Sequence, residues 1–253
     1  MFRPRIIPVL LLKNDGLVKS VRFRNHRYIG DPINAVKLFN DFKADELVFL
    51  DITATKENRH ISLDFVREAG EEANMPFAVG GGIKTLSDIE KVIQAGAEKV
   101  VINTAAAKNP RFIREAADHF GSSTIVVCID VAKNWFGKMS VRIKAGSQSV
   151  EFSPVEFAQT MEQMGAGEII VQSIDRDGTM QGYDVDLIRS ISECVSVPVI
   201  ALGGAGLAEH WKEAYFHGRA SALAAGSMFV YQGNTQGVLI NYPEREKLRS
   251  LFM

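Results

Sequence analysis

Cysteine is scarce in this 253-residue chain: Cys128 and Cys194 are its only two, at a spacing that suits neither a metal cluster nor a disulfide framework. Both are expected to be buried, reduced thiols, as in a cytoplasmic protein. Long hydrophobic runs are also missing. The first apolar stretch, Ile6 to Leu12, follows Met1-Phe2-Arg3-Pro4-Arg5 directly, is far too short to cross a bilayer and lacks a cleavage site. The expectation is a soluble, unprocessed chain with no membrane association. Neither sign of charge is in excess: the formal net charge is −1, so no basic field draws the protein to nucleic acid. No Pro/Gly/Ser-rich linker interrupts the sequence, which leaves one domain over residues 1–253, and no motif calls for a cofactor or a metal.

What is present is a regular alternation. Short apolar runs occur at Ile6–Leu12, Glu46–Ile52, Pro76–Val79, Lys99–Ile102, Thr124–Ile129, Glu168–Gln172, Pro198–Leu202 and Ala222–Ala225. Continuous rather than alternating apolar runs indicate strands covered on both faces, as in parallel sheets. Between them lie amphipathic stretches at Ile33–Phe42, Ser62–Ala73, Leu86–Ala95, Pro110–His119, Pro154–Met164, Asp184–Ser192 and Ala208–Phe216. Eight strands alternating with helices, in a chain near the roughly 250 residues typical of the fold, predict an α/β protein, a single (β/α)₈ TIM barrel.

An internal repeat refines this prediction. A shift of 122 positions superposes Glu46 on Glu168, Ile52 on Ile174, Pro76 on Pro198, Gly81 and Gly82 on Gly203 and Gly204, and Gly96 on Gly218. An ordered series at one offset reads as a half-barrel duplication, with halves of about 1–122 and 123–253.

In such a barrel, function gathers at the C-terminal ends of the strands. The third run ends in Gly80-Gly81-Gly82 and the seventh in Gly203-Gly204-Ala205-Gly206. Glycine clusters between strand and helix let an anion approach backbone N–H groups, and two symmetric clusters favour two phosphate sites over two bare turns. Asn103-Thr104 after the fourth run and Gly226-Ser227 after the eighth add small or polar groups to each site. The sixth run continues into Ser173-Ile174-Asp175-Arg176-Asp177-Gly178-Thr179, placing Asp177 and Gly178 beside the second cluster.

Asp130 closes the fifth run, where a carboxylate serves equally well as a general acid/base or as a loop cap. Matching the first run to the fifth makes Leu11 its partner, so the symmetric carboxylate is absent. At the opposite face, Arg5, Glu46, Lys99 and Glu168 open or flank four runs; by spacing alone they read as ordinary surface pairs.

These strings resemble one family. Glu46-Leu47-Val48-Phe49-Leu50-Asp51-Ile52-Thr53, Val79-Gly80-Gly81-Gly82-Ile83, Val101-Ile102-Asn103-Thr104-Ala105-Ala106, the 173–179 string and Gly203-Gly204-Ala205-Gly206 are similar to the cyclase subunit of imidazole glycerol phosphate synthase, from near the start to about Phe229. The resemblance implies a barrel that pairs through its N-terminal face with a glutaminase subunit, takes ammonia past four charged residues, and uses it on a bis-phosphorylated ribulosyl aminoimidazole carboxamide substrate. It assigns Arg5, Glu46, Lys99 and Glu168 to an ammonia gate, which replaces the surface-pair reading. It assigns Gly82, Asn103 and Thr104 to one phosphate site. Asp177, Gly178, Gly204, Gly226 and Ser227 go to the other, and Lys19 becomes a substrate-side lysine.

The departures are specific. The family uses two aspartates, at the ends of the first and fifth strands; Asp130 matches one, and Leu11 stands at the other. Gln172 and Leu202 stand where threonine and serine are common, and Tyr231 to Met253 lacks the usual last helix pattern. A retained gate with a broken acid/base pair resembles a second-copy paralogue of the kind found in bacterial surface-polysaccharide loci, beside an amidotransferase acting on an N-acetyl sugar.

Overall fold

The computed structural model describes residues 3–232 and 237–253. Met1 and Phe2 of the N-terminal segment, and residues 233–236 of the divergent C-terminal segment, lie outside the described residues. Eight parallel strands form the barrel: β1 (Arg5–Lys13), β2 (Leu47–Asp51), β3 (Phe77–Gly80), β4 (Lys99–Ile102), β5 (Ile125–Lys133), β6 (Glu168–Ser173), β7 (Val199–Leu202) and β8 (Ala222–Ala225). Each pairs with the next in chain order, and Arg5↔Ala222 through Pro8↔Ala225 join β1 to β8, so the sheet closes on itself. The chain is a single (β/α)₈ barrel.

Helices α1 (Pro32–Asp41), α2 (Leu63–Glu72), α3 (Leu86–Gln94), α4 (Pro110–Phe120), α5 (Pro154–Gln163), α6 (Val185–Ser192) and α7 (Ala208–Lys212) cover the outside. Local chemistry sets where they start. Asp31, Ser62 and Asp184 cap α1, α2 and α6 through their side chains, while Thr85 with Asp88 and Ser153 with Glu156 form capping boxes on α3 and α5. Proline opens α1, α4 and α5, where its missing N–H costs nothing. The stretch expected as one helix over Ala208–Phe216 divides: α7 passes into a π-helical turn, Glu213–His217.

Strand alternation splits the core in two. Residues such as Ile6, Leu10, Phe49, Val79 and Val127 face outward against the helices in one large cluster. Each fully buried aromatic there, Phe39 and Phe229 among them, contributes about 1.5–3 kcal/mol. The alternate residues, including Ile7, Val9, Val48, Ala78, Val101, Val126, Cys128, Ile170, Ile200 and Leu202, fill the barrel interior, with Leu11 and Leu50 packed against them.

Three features lie outside the sequence-based expectation. Two antiparallel extensions rise from the mouth. Gly16–Val21 and Arg24–Gly30 follow β1, and Met139–Ile143 folds back on β5 with Gln148–Ser149 beyond it. The C-terminal segment still ends in a short helix, α8 (Arg245–Leu251). Tyr242 ahead of α8 stacks on Phe229 and donates a hydrogen bond to the Ile6 carbonyl at 3.0 Å. Cys194 corrects the expectation of two buried thiols. Cys128 is buried in the barrel, but Cys194 is exposed, because it sits in the surface turn just past the end of α6. Among the described residues, no helix is long and apolar enough to cross a membrane.

Candidate functional site at the barrel mouth

A cavity of about 690 Å³ opens at the C-terminal ends of the strands. Of the expected residues, Lys19, Gly82, Asn103, Thr104, Asp130, Asp177 and Gly226 line it; Gly178, Gly204 and Ser227 do not. Gly82, Asn103 and Thr104 come together at the C-terminal ends of β3 and β4. Asn103, the residue after β4, uses its amide to donate to the Cys128 carbonyl at 3.0 Å, fixing the strand end. Thr104, which opens the one-turn helix Thr104–Lys108, donates to Asn103 Oδ1 at 3.2 Å and accepts from the Lys144 N–H at 3.0 Å. Gly82 has φ +69, and a Cβ there would collide with the Arg59 carbonyl, so the loop closes only around glycine.

The glycines of the second half do comparable structural work. Gly204 has φ +111 and presses against the Gly182 carbonyl; Gly178 has φ +70 and presses against the Ser20 carbonyl. That second contact belongs to the β1 extension, which reaches across the mouth to the loop after β6. There Arg22 N–H donates to the Asp177 carbonyl at 2.9 Å and Ser20 Oγ donates to Asp177 Oδ2 at 3.2 Å. Ser227 is buried where the one-turn helix Ser227–Val230 begins. Gly226 has a distinct purpose: a Cβ there would overlap the Lys19 ammonium.

Lys19 is buried, and its Nζ donates to the Val9 carbonyl at 3.1 Å. Burial pulls its pKa down to about 8, with Asp177 opposing the shift. Asp130 is buried as well, and burial pushes its pKa up to about 7. A hydrogen bond from the Cys128 thiol works against that rise, and the charge of Asp177 works with it. Asp177 is itself raised by burial, against the pull of Lys19, Ser20 and a Gln172 amide bond of 3.2 Å. The same cavity thus holds an acid whose pKa is near neutrality and, close to Asp177, an ammonium whose pKa is near 8, each brought by burial into the range in which side chains exchange protons. Leu11, Leu50 and Leu202 line the same cavity and make the wall facing them apolar.

Sequence reasoning missed several liners: Lys13, Lys56, Arg59, Lys84, Lys108 and Lys144. Together with Lys19 they outnumber Asp51, Asp130 and Asp177, and Asp51 is already paired with Arg59, so the mouth is electropositive in a nearly neutral chain. Lys84, next to the Gly81-Gly82-Ile83 loop, and Lys108, one turn beyond Thr104, carried a positional signal. Lys144 had none, since the extension of β5 that delivers it was not foreseen.

At the other end of the barrel, the four charged residues form a closed ring. Arg5 pairs with Glu46 and, at 2.7 Å, with Glu168; Lys99 Nζ pairs with Glu46 at 3.0 Å and Glu168 at 3.2 Å. Each cation touches both carboxylates, unlike isolated surface pairs. Burial would lower the Arg5 pKa, but Glu46 and Glu168 hold it above its ordinary value. Among the described residues, the interior side chains between this ring and the mouth cavity are apolar, Ile7, Val48, Ala78, Val126, Ile170 and Ile200 among them.

Comparison with known proteins accords with this architecture. A family model described as histidine biosynthesis protein matches residues 5–236. An imidazole glycerol phosphate synthase subunit HisF of Alkaliphilus metalliredigens is 43% identical over 231 residues, covering 91% of this chain and 92% of its own. A provisionally named imidazole glycerol phosphate synthase subunit hisF2 of Pseudomonas aeruginosa is 46% identical over 248 residues, 98% and 99% of the two chains. A provisionally named HisF subunit of Leptospira borgpetersenii is 42% identical over 253 residues, the full length of both.

Proposed function

The chain belongs to the histidine biosynthesis protein family, and on that premise we propose that it is a cyclase-type subunit of a glutamine amidotransferase. A partner glutaminase docks on the N-terminal face and releases ammonia. Ammonia passes the ring of Arg5, Glu46, Lys99 and Glu168, crosses the apolar interior and reaches the mouth. There it reacts with a ribulosyl aminoimidazole carboxamide substrate bearing two phosphates to give imidazole glycerol phosphate. The observation that carries this reading is the vertical arrangement: a closed ion ring below, a packed apolar interior, and a cationic cavity above that holds Asp130 with Gly82, Asn103 and Thr104. Gly82, Asn103 and Thr104 hold one phosphate. The loops of Asp177, Gly178, Gly204, Gly226 and Ser227, of which Asp177 and Gly226 reach the cavity, frame the other; Lys19 lies against the substrate, and Asp130 carries the proton.

Leu11 favours a second reading for the same scaffold. It lines the cavity with Asp130 where a second acid is wanted, and a leucine transfers no proton. In this reading the chain is a non-cyclising paralogue. It activates a glutaminase and passes ammonia to a separate amidotransferase that converts an N-acetyl sugar to an acetamidino sugar for surface polysaccharide. Either activity belongs in the cytoplasm. The division into halves at about 1–122 and 123–253 has geometric support: Gly81 presses on the Asp51 carbonyl as Gly203 presses on that of Ser173, the same pair 122 positions on.

One assay separates the two readings. With saturating ammonium and the bis-phosphate substrate, the first reading expects turnover about 10²–10⁴-fold slower than that of a cyclase carrying both aspartates, and the second expects none. Turnover at the rate of such a cyclase would eliminate the paralogue reading.

The ring has its own test. Lys99→Ala removes one of two cations bridging Glu46 and Glu168 while Arg5 still holds both, so the barrel is expected to stay folded. Glutamine-dependent ammonia transfer should fall while the response to free ammonium is kept. Unchanged glutamine coupling in that variant would rule out a gating role.

A further inference from the structure

Asp177 and Asp130 are held very differently. Asp177 receives Ser20 Oγ, Gln172 Nε2 and the Phe23 backbone N–H, with the Lys19 ammonium nearby. Asp130 receives a single side-chain donor among the described residues: the Cys128 thiol, with Sγ 3.5 Å from Oδ1. The two residues are i and i+2 on β5, so both side chains point to the same side of the strand and both line the cavity. Every other element around Asp130 brings something else. On β6 its register partner is Gln172, whose amide is committed to Asp177, and the following loop brings the Asp177 charge. On the antiparallel strand it lies opposite Arg142; from the β4 end comes Asn103, and from the β1 extension Lys19, committed to Val9. Lys144 also lines the cavity.

We propose that Cys128 is the positioning residue of Asp130: its S–H orients the carboxyl and favours the carboxylate over the acid. A hydrogen bond donated to the charged form of an acid stabilises that form. Here it acts in a desolvated interior, where even a weak donor has more effect than it has in water, and it is the side-chain donor hydrogen-bonded to Asp130 although Arg142 lies opposite. Cys128 itself stays a thiol, because burial and the neighbouring Asp130 carboxyl both raise its pKa well above the ordinary range. It therefore donates throughout the range in which Asp130 titrates and takes no part as a nucleophile. The inference rests on the reading of Asp130 as the proton-transfer group, and it adds the group that adjusts its proton affinity.

The experiment is an infrared titration of the intact chain, with Asp130→Asn identifying the Asp130 carboxyl band. The S–H stretching band, assigned by its loss in Cys128→Ser, should shift as Asp130 ionises. In Cys128→Ala the Asp130 midpoint should rise by about one pH unit. Cys128→Ser, which retains a donor of similar size, should return it to or below the original value. An S–H band blind to the titration, or equal midpoints in all three proteins, would overturn the proposal. Near-isosteric Cys128→Ser keeps the test open should the alanine variant pack poorly. Ammonium-dependent turnover is read in parallel. If Asp130→Asn turns over like the parent while the midpoints still move with Cys128, the role of Asp130 fails and that of Cys128 stands. Unmoved midpoints with an inactive Asp130→Asn mean the reverse: Asp130 keeps its role and Cys128 loses its own.

Discussion

Replacing Leu11 with aspartate is expected to raise ammonium-dependent turnover of the bis-phosphate substrate by about 10²–10⁴-fold, the usual contribution of one positioned acid or base. Leu11 is paired with Leu50 on the neighbouring strand and lines the same cavity as Asp130, so a carboxylate placed there shares the reacting space. The site is only partly buried, so a carboxylate there is less costly than at Val9 or Leu10 beside it. Asp130 and Asp177 will resist a third negative charge, which should draw the new acid toward neutrality and separate the roles of acid and base. Leu11→Asn is the control, similar in shape and polar but unable to exchange a proton near pH 7. If the aspartate variant is no faster than the parent under saturating ammonium, the missing acid is not what limits cyclisation. The second reading then gains, since Gln172 and Leu202 would have altered the site as well.

Asp130→Asn is expected to have opposite effects on chemistry and stability. Whatever turnover the parent retains should be lost, yet the variant should be more stable at alkaline pH. The carboxyl has a folded-state pKa of about 7 against an ordinary value of 3.8, raised chiefly by burial. Between those values the folded state holds a proton that the unfolded state has released, so stability falls as pH rises from about 4 to about 7 and levels off above. Below pH 4 both states are protonated and the group carries no penalty. Three pH units correspond to about 4 kcal/mol, the most that asparagine should recover at pH 8. Urea denaturation of both proteins at pH 4.5 and pH 8 measures it: the difference between variant and parent should open toward the higher pH. A difference that is the same at both pH values would mean that Asp130 is not held as a desolvated acid.

Much of this barrel was legible in the chain. All eight apolar runs became barrel strands, because parallel strands covered on both faces need continuous apolar sequence, and few other structures do. Helix starts were legible for a local reason: caps such as Thr85 with Asp88 act within four residues. The two extensions at the mouth were not. Gly16–Val21 is almost wholly buried and Arg24–Gly30 largely exposed, so neither shows the alternation that marks a half-buried strand. Their partners were also invisible, since Ser20 and Asp177 are 157 positions apart.

The same division runs through the site. Sequence alone determined the fold, the glycine loops at the strand ends and the placement of Asp130 and Leu11 on matching strands, because strand ends and glycine turns follow from local pattern. Tertiary structure decided how those residues behave. Arg5, Glu46, Lys99 and Glu168 form a ring only because closing the barrel brings four strand starts together. The proton affinities of Asp130 and Lys19 depend on burial and on Asp177, and the cationic mouth on lysines gathered from distant loops. Desolvation and charge pairing are set by distance in space, and distance along the chain does not contain them.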